Sequence, residues 1–132
     1  MHSLTLKNEH IQKMIAHVES HLPFEACGLL AGHDSKVETV LIVRNQAQSK
    51  VRFVMDPIEQ LIAFNWIDSH DLDLVGIFHS HPTGPETVSP TDIAEAAYRV
   101  VNIILTQMNN TWSVRGFWIE NKTYAEISLQ IL

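Results

Sequence analysis

The spacing of apolar residues along the chain predicts a series of strands interrupted by three helices. Apolar and polar residues alternate, as on half-buried strands, or form short apolar runs bounded by turn residues. Eight segments fit this pattern: residues 2–6, 26–32, 37–45, 51–55, 72–81, 101–107, 112–120 and 124–132. From residue 8 to residue 20, apolar positions recur every three or four residues instead, which predicts an amphipathic helix with a buried face formed by Ile11, Met14, Ile15 and Val18.

Two more helices are indicated by their start signals. Asp56 is a good N-cap, Pro57 suits the first helical position, and Glu59 is placed to complete a capping box. The buried face of this second helix is expected to consist of Ile58, Leu61, Ile62 and Trp66. A third, short helix is expected over residues 90–98, after the N-cap candidate Ser89.

The mostly apolar run at 72–81 predicts a strand that is buried on both faces and lies centrally in the sheet. Strands in this order, with helices between them, place the chain in the α/β class. We expect one curved mixed β-sheet flanked by helices, in a single domain covering residues 1–132.

The composition limits the possible partners and location of the protein, and it says less about the fold. The 132 residues carry 9 Lys and Arg against 15 Asp and Glu, a net charge of −6 without a basic cluster, so nucleic acid is not expected as a partner. No apolar run approaches the ~20 residues of a membrane span, and the first residues do not resemble a signal peptide. A single cysteine, Cys27, cannot form an internal disulfide, which favours a cytoplasmic location. The oligomeric state stays open.

Residues 76–92 carry the candidate chemistry. His79 and His81 are two apart on a predicted strand, so their side chains point to the same face. Pro82 ends that strand because it has no N–H to donate. Ser89 and Asp92 then stand at the N-cap and the third position of the next helix, where they share a face, and seven loop residues allow that face to turn toward the histidines.

Two histidines and one carboxylate are a common ligand set for catalytic zinc, and zinc lowers the pKa of a coordinated water to about 7. Each half of the pattern also has an ordinary explanation. A lone His-x-His occurs without metal, and Ser-Pro-Thr-Asp is a standard helix start. For Ser89, a role as helix cap and a role at the metal site are compatible, because a hydroxyl can accept a capping N–H and still donate its own proton.

The spacing His79-x-His81, seven residues, Ser89, two residues, Asp92 resembles the motif of the JAMM/MPN+ metalloprotease family. That motif includes an upstream glutamate, and Glu25 supplies it in the segment "PFEACGLLAG". The resemblance implies one zinc ion held by His79, His81 and Asp92, with Glu25 as general base and Ser89 as oxyanion donor. It also implies a curved mixed sheet flanked by helices, an architecture related to that of cytidine deaminases.

The implied function is hydrolysis of the amide bond after the C-terminal Gly-Gly of a ubiquitin-like modifier or sulfur-carrier protein. Two alternatives remain at this point: an inactive MPN-type scaffold, and another zinc hydrolase such as a deaminase. Scaffolds of this type lack part of the ligand set, and deaminases need a later Cys-x-x-Cys pair that one cysteine cannot supply.

Three other features are candidates for a part in the chemistry. Cys27 is interpreted as a buried structural thiol, with a redox or inhibitory role as the alternative. His17 and His21 are interpreted as a solvated helix edge rather than a metal site. Loop 82–88 borders the predicted metal site, so contact with substrate and a plain connection remain equal alternatives for it.

Overall fold

The computed structural model describes residues 3–132, and within them a seven-stranded sheet curves until its edges meet. The elements are β1 (Ser3–Leu6), α1 (Asn8–Ser20), β2 (Cys27–His33), β3 (Lys36–Val43), α2 (Pro57–Ser69), β4 (Asp73–His81), α3 (Pro90–Glu95), β5 (Val101–Met108), β6 (Thr111–Glu120) and β7 (Thr123–Ile131). The predicted mixed sheet flanked by helices is confirmed. His2, which the first predicted strand included, lies outside the described residues.

The strand order is β1-β3-β2-β4-β5-β6-β7, and β1 closes the barrel by pairing in parallel with both β3 and β7. β4 and β5 are also parallel, whereas the remaining neighbours are antiparallel. β4 therefore lies between β2 and β5, as its apolar sequence predicted. Both of its edges are occupied by strand pairing over most of its length.

Alternate residues of each strand pack on opposite faces of the sheet, and each face is covered by a different helix. α1 packs its buried Met14 and Val18 onto the face that carries Leu30 and Phe78. α2 covers the other face, where Cys27, Leu29, Val43 and Ile77 contact Ala63 and Ile67. Because His79 and His81 follow Ile77 at spacings of two, their side chains lie on the α2 face.

Gly28 brings β2 and β4 close together at the beginning of β2. A Cβ at this position would lie 2.3 Å from Cε1 of Phe78 and 2.5 Å from the carbonyl oxygen of Leu41, so no side chain fits. Phe78 is fully buried and cannot move aside. Gly28 thus permits the register in which Cys27, the second residue after Glu25, pairs with His79.

Three expectations about local structure are wrong. Residues 51–54 form no strand, and only an isolated bridge joins Met55 to Asn45. Asp56 caps α2 as predicted, but Glu59 accepts a hydrogen bond from the Arg44 backbone N–H instead of completing a capping box. On α2 the buried residues are Ala63 and Ile67, whereas the predicted buried-face residues Ile58, Leu61 and Ile62 are exposed.

α3 is shorter than predicted, because Ala96 leaves the helical conformation with φ −62° and ψ 116°. The chain after it turns toward α2, where the ring of Tyr98 lies 5.8 Å from that of Phe64. None of the helices in residues 3–132 is long and apolar enough to cross a membrane.

Candidate metal centre

The two histidines and Asp92 converge on one point at the end of β4. Nε2 of His79 lies 3.1 Å from Nε2 of His81 and 3.1 Å from Oδ1 of Asp92. Nε2 of His81 lies 3.0 Å from Oδ2 of Asp92. Both rings therefore aim the same nitrogen at one carboxylate, as the i, i+2 spacing on the strand predicted.

The capping box of α3 holds Asp92 in this position. Oγ of Ser89 accepts a hydrogen bond from the Asp92 backbone N–H at 3.1 Å, and Oδ2 of Asp92 accepts one from the Ser89 backbone N–H at 2.9 Å. Pro90 occupies the first turn, where its missing N–H costs nothing. The helix start thus orients the carboxylate and keeps the Ser89 hydroxyl beside it. Residues 89–92 can therefore be both a helix start and part of the candidate metal site.

Glu25 lies beside the histidines, although it comes from a distant part of the sequence. Its carboxylate and ring nitrogens of His79 and His81 all lie within 4.8 Å of one another. The backbone of Glu25 is tied on both sides: its N–H donates to Ser49 at 2.7 Å, and its C=O accepts from the side chain of Asn45 at 3.0 Å. The structure therefore brings all five residues predicted for the site to one location.

Two buried polar atoms at this site have no hydrogen-bond partner within residues 3–132: Oε1 of Glu25 and Nδ1 of His79. An unpaired buried oxygen costs about 1–3 kcal/mol unless another group satisfies it. A metal ion and its coordinated water would supply the group that Glu25 lacks. The donor set of two imidazoles and a carboxylate fits zinc in particular, with an open position for catalysis.

Burial and proximity shift the four titratable groups in different directions. Burial, opposed by the charge of His81 and reinforced by that of Asp92, raises the pKa of Glu25 to about 8. Burial alone would also raise the pKa of Asp92, but hydrogen bonds from His79 and His81 outweigh it and hold that pKa well below its usual range. The pKa values of the two carboxyl groups are therefore shifted in opposite directions.

The two histidines respond differently to the same carboxylate. Burial is the largest single effect on both rings, and by itself it would lower the pKa of each. In His79 this effect prevails, so its pKa is lowered. In His81 the hydrogen bonds to Asp92 and to the Pro85 carbonyl, together with nearby negative charge, outweigh burial and raise the pKa.

Residues outside the predicted set orient the histidine rings. Nδ1 of His81 donates to the carbonyl oxygen of Pro85 at 2.7 Å, and the hydroxyl of Thr106 donates to the same oxygen at 3.3 Å. Phe53 stacks on His79 with 4.5 Å between ring centroids and 27° between planes. The hydrogen bond to Pro85 fixes the orientation and tautomer of the His81 ring, whereas the stacking contact restricts only the orientation of the His79 ring. No sequence motif indicated them; a polar Thr106 within an apolar strand was the only signal.

Cys27 packs next to the site without sharing its chemistry. It pairs with His79 across β2 and β4 and is fully buried. Its thiol contacts the Val43 carbonyl oxygen at 3.4 Å, and burial raises its pKa to about 12. A thiol with this pKa is protonated and unreactive at neutral pH, which agrees with the structural interpretation.

The predicted solvated edge on α1 is wrong for one of its two residues. His17 is buried, and its Nε2 lies 3.0 Å from the carbonyl oxygen of Cys27. His21 is exposed, as expected. His17 therefore connects α1 to the beginning of β2 by a hydrogen bond.

A cavity of about 350 Å³ opens beside the metal centre on the His79 side. It is lined by the segment 52–55, by α3 and the residues after it, and by Gln60 of α2. Ile77, His79 and Asn102 of the sheet line its floor. We call this cavity the cleft; it leads directly to Asp92 and His79.

The class of protein defined by this fold and site is that of the JAB/MPN domains. The sequence model of a protein family, described as the prokaryotic homologs of the JAB domain, matches residues 7–119 of the chain. A structure from Archaeoglobus fulgidus, described as a JAB1/MPN domain protein, superposes with a TM-score of 0.65 over 100% of this chain and 99% of that one, at 15% identity. A solution structure of a protein from Desulfitobacterium hafniense superposes with a TM-score of 0.88 at 32% identity, covering 98% of this chain and 92% of that one.

The chain belongs to this prokaryotic JAB family, which confirms the resemblance read from its motif. Among curated relatives, it is 39% identical over 85 residues to the desampylase of Pyrococcus furiosus, covering 64% of this chain and 61% of that protein. It is 34% identical over 123 residues to a probable TtuB-protein conjugate cleaving protease of Thermus thermophilus, covering 92% of this chain and 78% of that protein. The match thus spans less than two thirds of the desampylase.

Proposed function

We propose that this chain is a zinc-dependent peptidase that hydrolyses the amide bond after the C-terminal Gly-Gly of a ubiquitin-like modifier or sulfur-carrier protein. The observation that carries this proposal is the convergence of His79, His81 and Asp92 within 3.0–3.1 Å, with an unpaired Glu25 oxygen beside them. The names of the relatives point to the same substrate class: one is a desampylase and another cleaves protein conjugates.

We assign His79, His81 and Asp92 as the ligands of one zinc ion per chain. Asp92 is a better third ligand than Glu25 because it is ionised and its two oxygens already contact both Nε2 atoms. When bound, zinc supplies Lewis-acid polarisation of the scissile carbonyl and lowers the pKa of water at the site. The carbonyl of Pro85 fixes His81 with its proton on Nδ1, which leaves Nε2 available to the metal.

Glu25 acts as the general base and then as the general acid. Its carboxyl is buried, its backbone is held by Ser49 and Asn45, and Oε1 has no other partner in the described chain. A cation beside it lowers its pKa by charge attraction from the value of about 8 set by burial. A carboxylate of that kind accepts a proton from the attacking water and delivers it to the leaving amine near neutral pH.

Ser89 stabilises the negative charge that develops on the carbonyl oxygen. Its Oγ already accepts the capping hydrogen bond from the Asp92 N–H, so its own proton remains to be donated. Loop 82–88 precedes Ser89 and borders the same space, and we propose that it contacts the substrate. A flexible tail ending in Gly-Gly suits the site because glycine lets the backbone approach without a Cβ colliding with Glu25 or Ser89.

Two measurements test the proposal. Metal analysis of the purified protein should find close to one zinc per chain, lost in His79→Ala and in His81→Ala while circular dichroism still reports a folded protein. The zinc-loaded protein should then release the leaving group from modifier fusions that end in Gly-Gly, through linear or isopeptide bonds, and cut Ala-Ala fusions far more slowly. A folded protein that refuses zinc, or equal rates on the two tails, would contradict the proposal.

A further inference from the structure

An ion pair joins two of the segments that line the cleft, and one of its members lies three residues from Asp92. Nε of Arg52, on the extended segment, lies 3.2 Å from Oε1 of Glu95, on α3. Both residues line the cleft, and their side chains are about half exposed, at 53% and 44%.

The pair contributes little to the stability of the fold. Exposed ion pairs of this kind change equilibrium constants by no more than about fivefold, because water screens the charges and two long side chains must be ordered. Arg52 also stands on a segment without strand pairing, whereas Glu95 stands on a helix whose start is held by a capping box. A cation on a bound substrate can therefore compete with Arg52 for Glu95.

The position of Glu95 defines which substrate residue it meets. Glu95 follows Asp92 by three residues on α3, so the two residues share a helix face and their Cα positions are separated by about 4.5 Å along the helix axis. An extended tail advances about 3.3 Å per residue. With the scissile carbonyl at the metal centre, two residues without side chains cover that distance. For a tail that runs alongside α3 from Asp92 toward Glu95, the residue preceding these two is the first whose side chain reaches Glu95.

We infer that Glu95 forms a specificity subsite for a cationic side chain on the residue immediately before the Gly-Gly of the modifier. The inference rests on the proposed function and adds to it the chemistry of one substrate position. A lysine or arginine there replaces Arg52 as the partner of Glu95, and Arg52 turns to solvent. The net charge of −6 on the chain favours the entry of a cation over that of an anion.

The test compares modifier fusions that differ only in the residue before Gly-Gly: arginine, serine or glutamate. For the wild type, kcat/KM should be about two- to fivefold higher for the arginine tail than for the serine tail, and lowest for the glutamate tail. This preference should shrink as ionic strength rises, because salt screens exposed charges. The difference should lie in KM rather than in kcat, since the contact is made before and during the reaction alike.

Variants of the two ion-pair residues should shift the preference in opposite directions. Glu95→Gln should abolish the arginine-over-serine ratio, and Glu95→Lys should reverse it in favour of the glutamate tail. Arg52→Ala removes the competitor, so the ratio should rise above that of the wild type. Glu38→Gln is the matched control: this acid is half exposed beside His33, lies outside the cleft, and should leave the ratio unchanged.

The outcomes separate this inference from the proposed function. If the Gly-Gly fusions are cleaved but the ratio is the same in wild type, Glu95→Gln and Glu95→Lys, the subsite does not exist and the peptidase assignment stands. If none of the tails is cleaved by the zinc-loaded wild type, the proposed function itself fails.

Discussion

Replacing Ser89 separates its structural role from its proposed chemical role. As the N-cap of α3, Ser89 accepts the Asp92 N–H at 3.1 Å. Changing a serine cap to alanine costs about 1 kcal/mol of stability, but changing it to glycine costs only a few tenths. Loss of one oxyanion donor reduces kcat by about 10²–10³, equivalent to about 2.7–4 kcal/mol of barrier. Alanine and glycine therefore differ in stability while both lack the hydroxyl.

The size of the stability effect cannot account for the expected loss of rate. Unfolding entropy is about 2.1 cal/mol/K per residue, which for 132 residues gives about 0.28 kcal/mol/K. A loss of 1 kcal/mol therefore lowers the Tm of Ser89→Ala by about 4 °C. A domain that starts with at least ~5 kcal/mol remains more than about 99% folded at 25 °C after that loss.

The assay measures kcat/KM, Tm and zinc content for Ser89→Ala, Ser89→Gly and Ser89→Thr. We expect the alanine and glycine variants to retain zinc and to lose activity by about 10²–10³ alike. Only the alanine variant should show the full drop in Tm, and threonine, which keeps a hydroxyl, should retain part of the activity. Activity of Ser89→Gly within tenfold of the wild type would refute the donor role. Loss of zinc in parallel with activity would instead assign Ser89 to the orientation of Asp92.

Three further expectations concern the base, the strand contact and a buried histidine. Glu25→Gln should keep zinc bound, by metal analysis, while turnover falls by about 10² or more; loss of zinc in a folded variant would make Glu25 a ligand. Gly28→Ala should lower the free energy of unfolding, measured with urea, by about 1–3 kcal/mol or more because its Cβ meets Phe78 at 2.3 Å; an unchanged midpoint would contradict the packing argument. Burial lowers the pKa of His17 below its usual 6.5, although its hydrogen bond to Cys27 and other nearby charges also act on it. The folded state then binds this proton less tightly than the unfolded chain, so stability should fall as pH drops through 6.5, and His17→Gln should flatten that fall.

The convergence of the candidate site residues could be predicted because most of them are close in sequence or stand at fixed geometric spacings. His79 and His81 follow from strand periodicity, and Ser89 and Asp92 from helix-start chemistry. The placement of Glu25 depends on how β2 pairs with β4, which periodicity does not specify. The sequence resemblance supplied it in advance, and the structure then brought it within 4.8 Å of the histidines.

The expectations that failed depend on tertiary partners. Residues 51–55 are rich in β-branched and aromatic types, but strand propensity forms no strand without a neighbour to pair with. Here Asn45 holds the segment instead, with its side-chain oxygen accepting the N–H of Val54. α2 is apolar around much of its circumference, so its pattern left the buried side undetermined. The structure buries the side containing Ala63 and Ile67.

The closed barrel also has a consequence for the order in which the protein assembles. All residues of the candidate metal centre lie in the segment from Glu25 to Asp92. The second edge of β1, however, is paired only once β7 is present, with Leu4 opposite Leu129. Pairs this distant in sequence form late and slowly, because their loop entropy must be overcome before they gain contacts. During synthesis the proposed metal ligands thus emerge well before β7, the strand that closes the sheet. Chains arrested before residue 123 should therefore leave β1 with an unpaired edge open to association with other proteins.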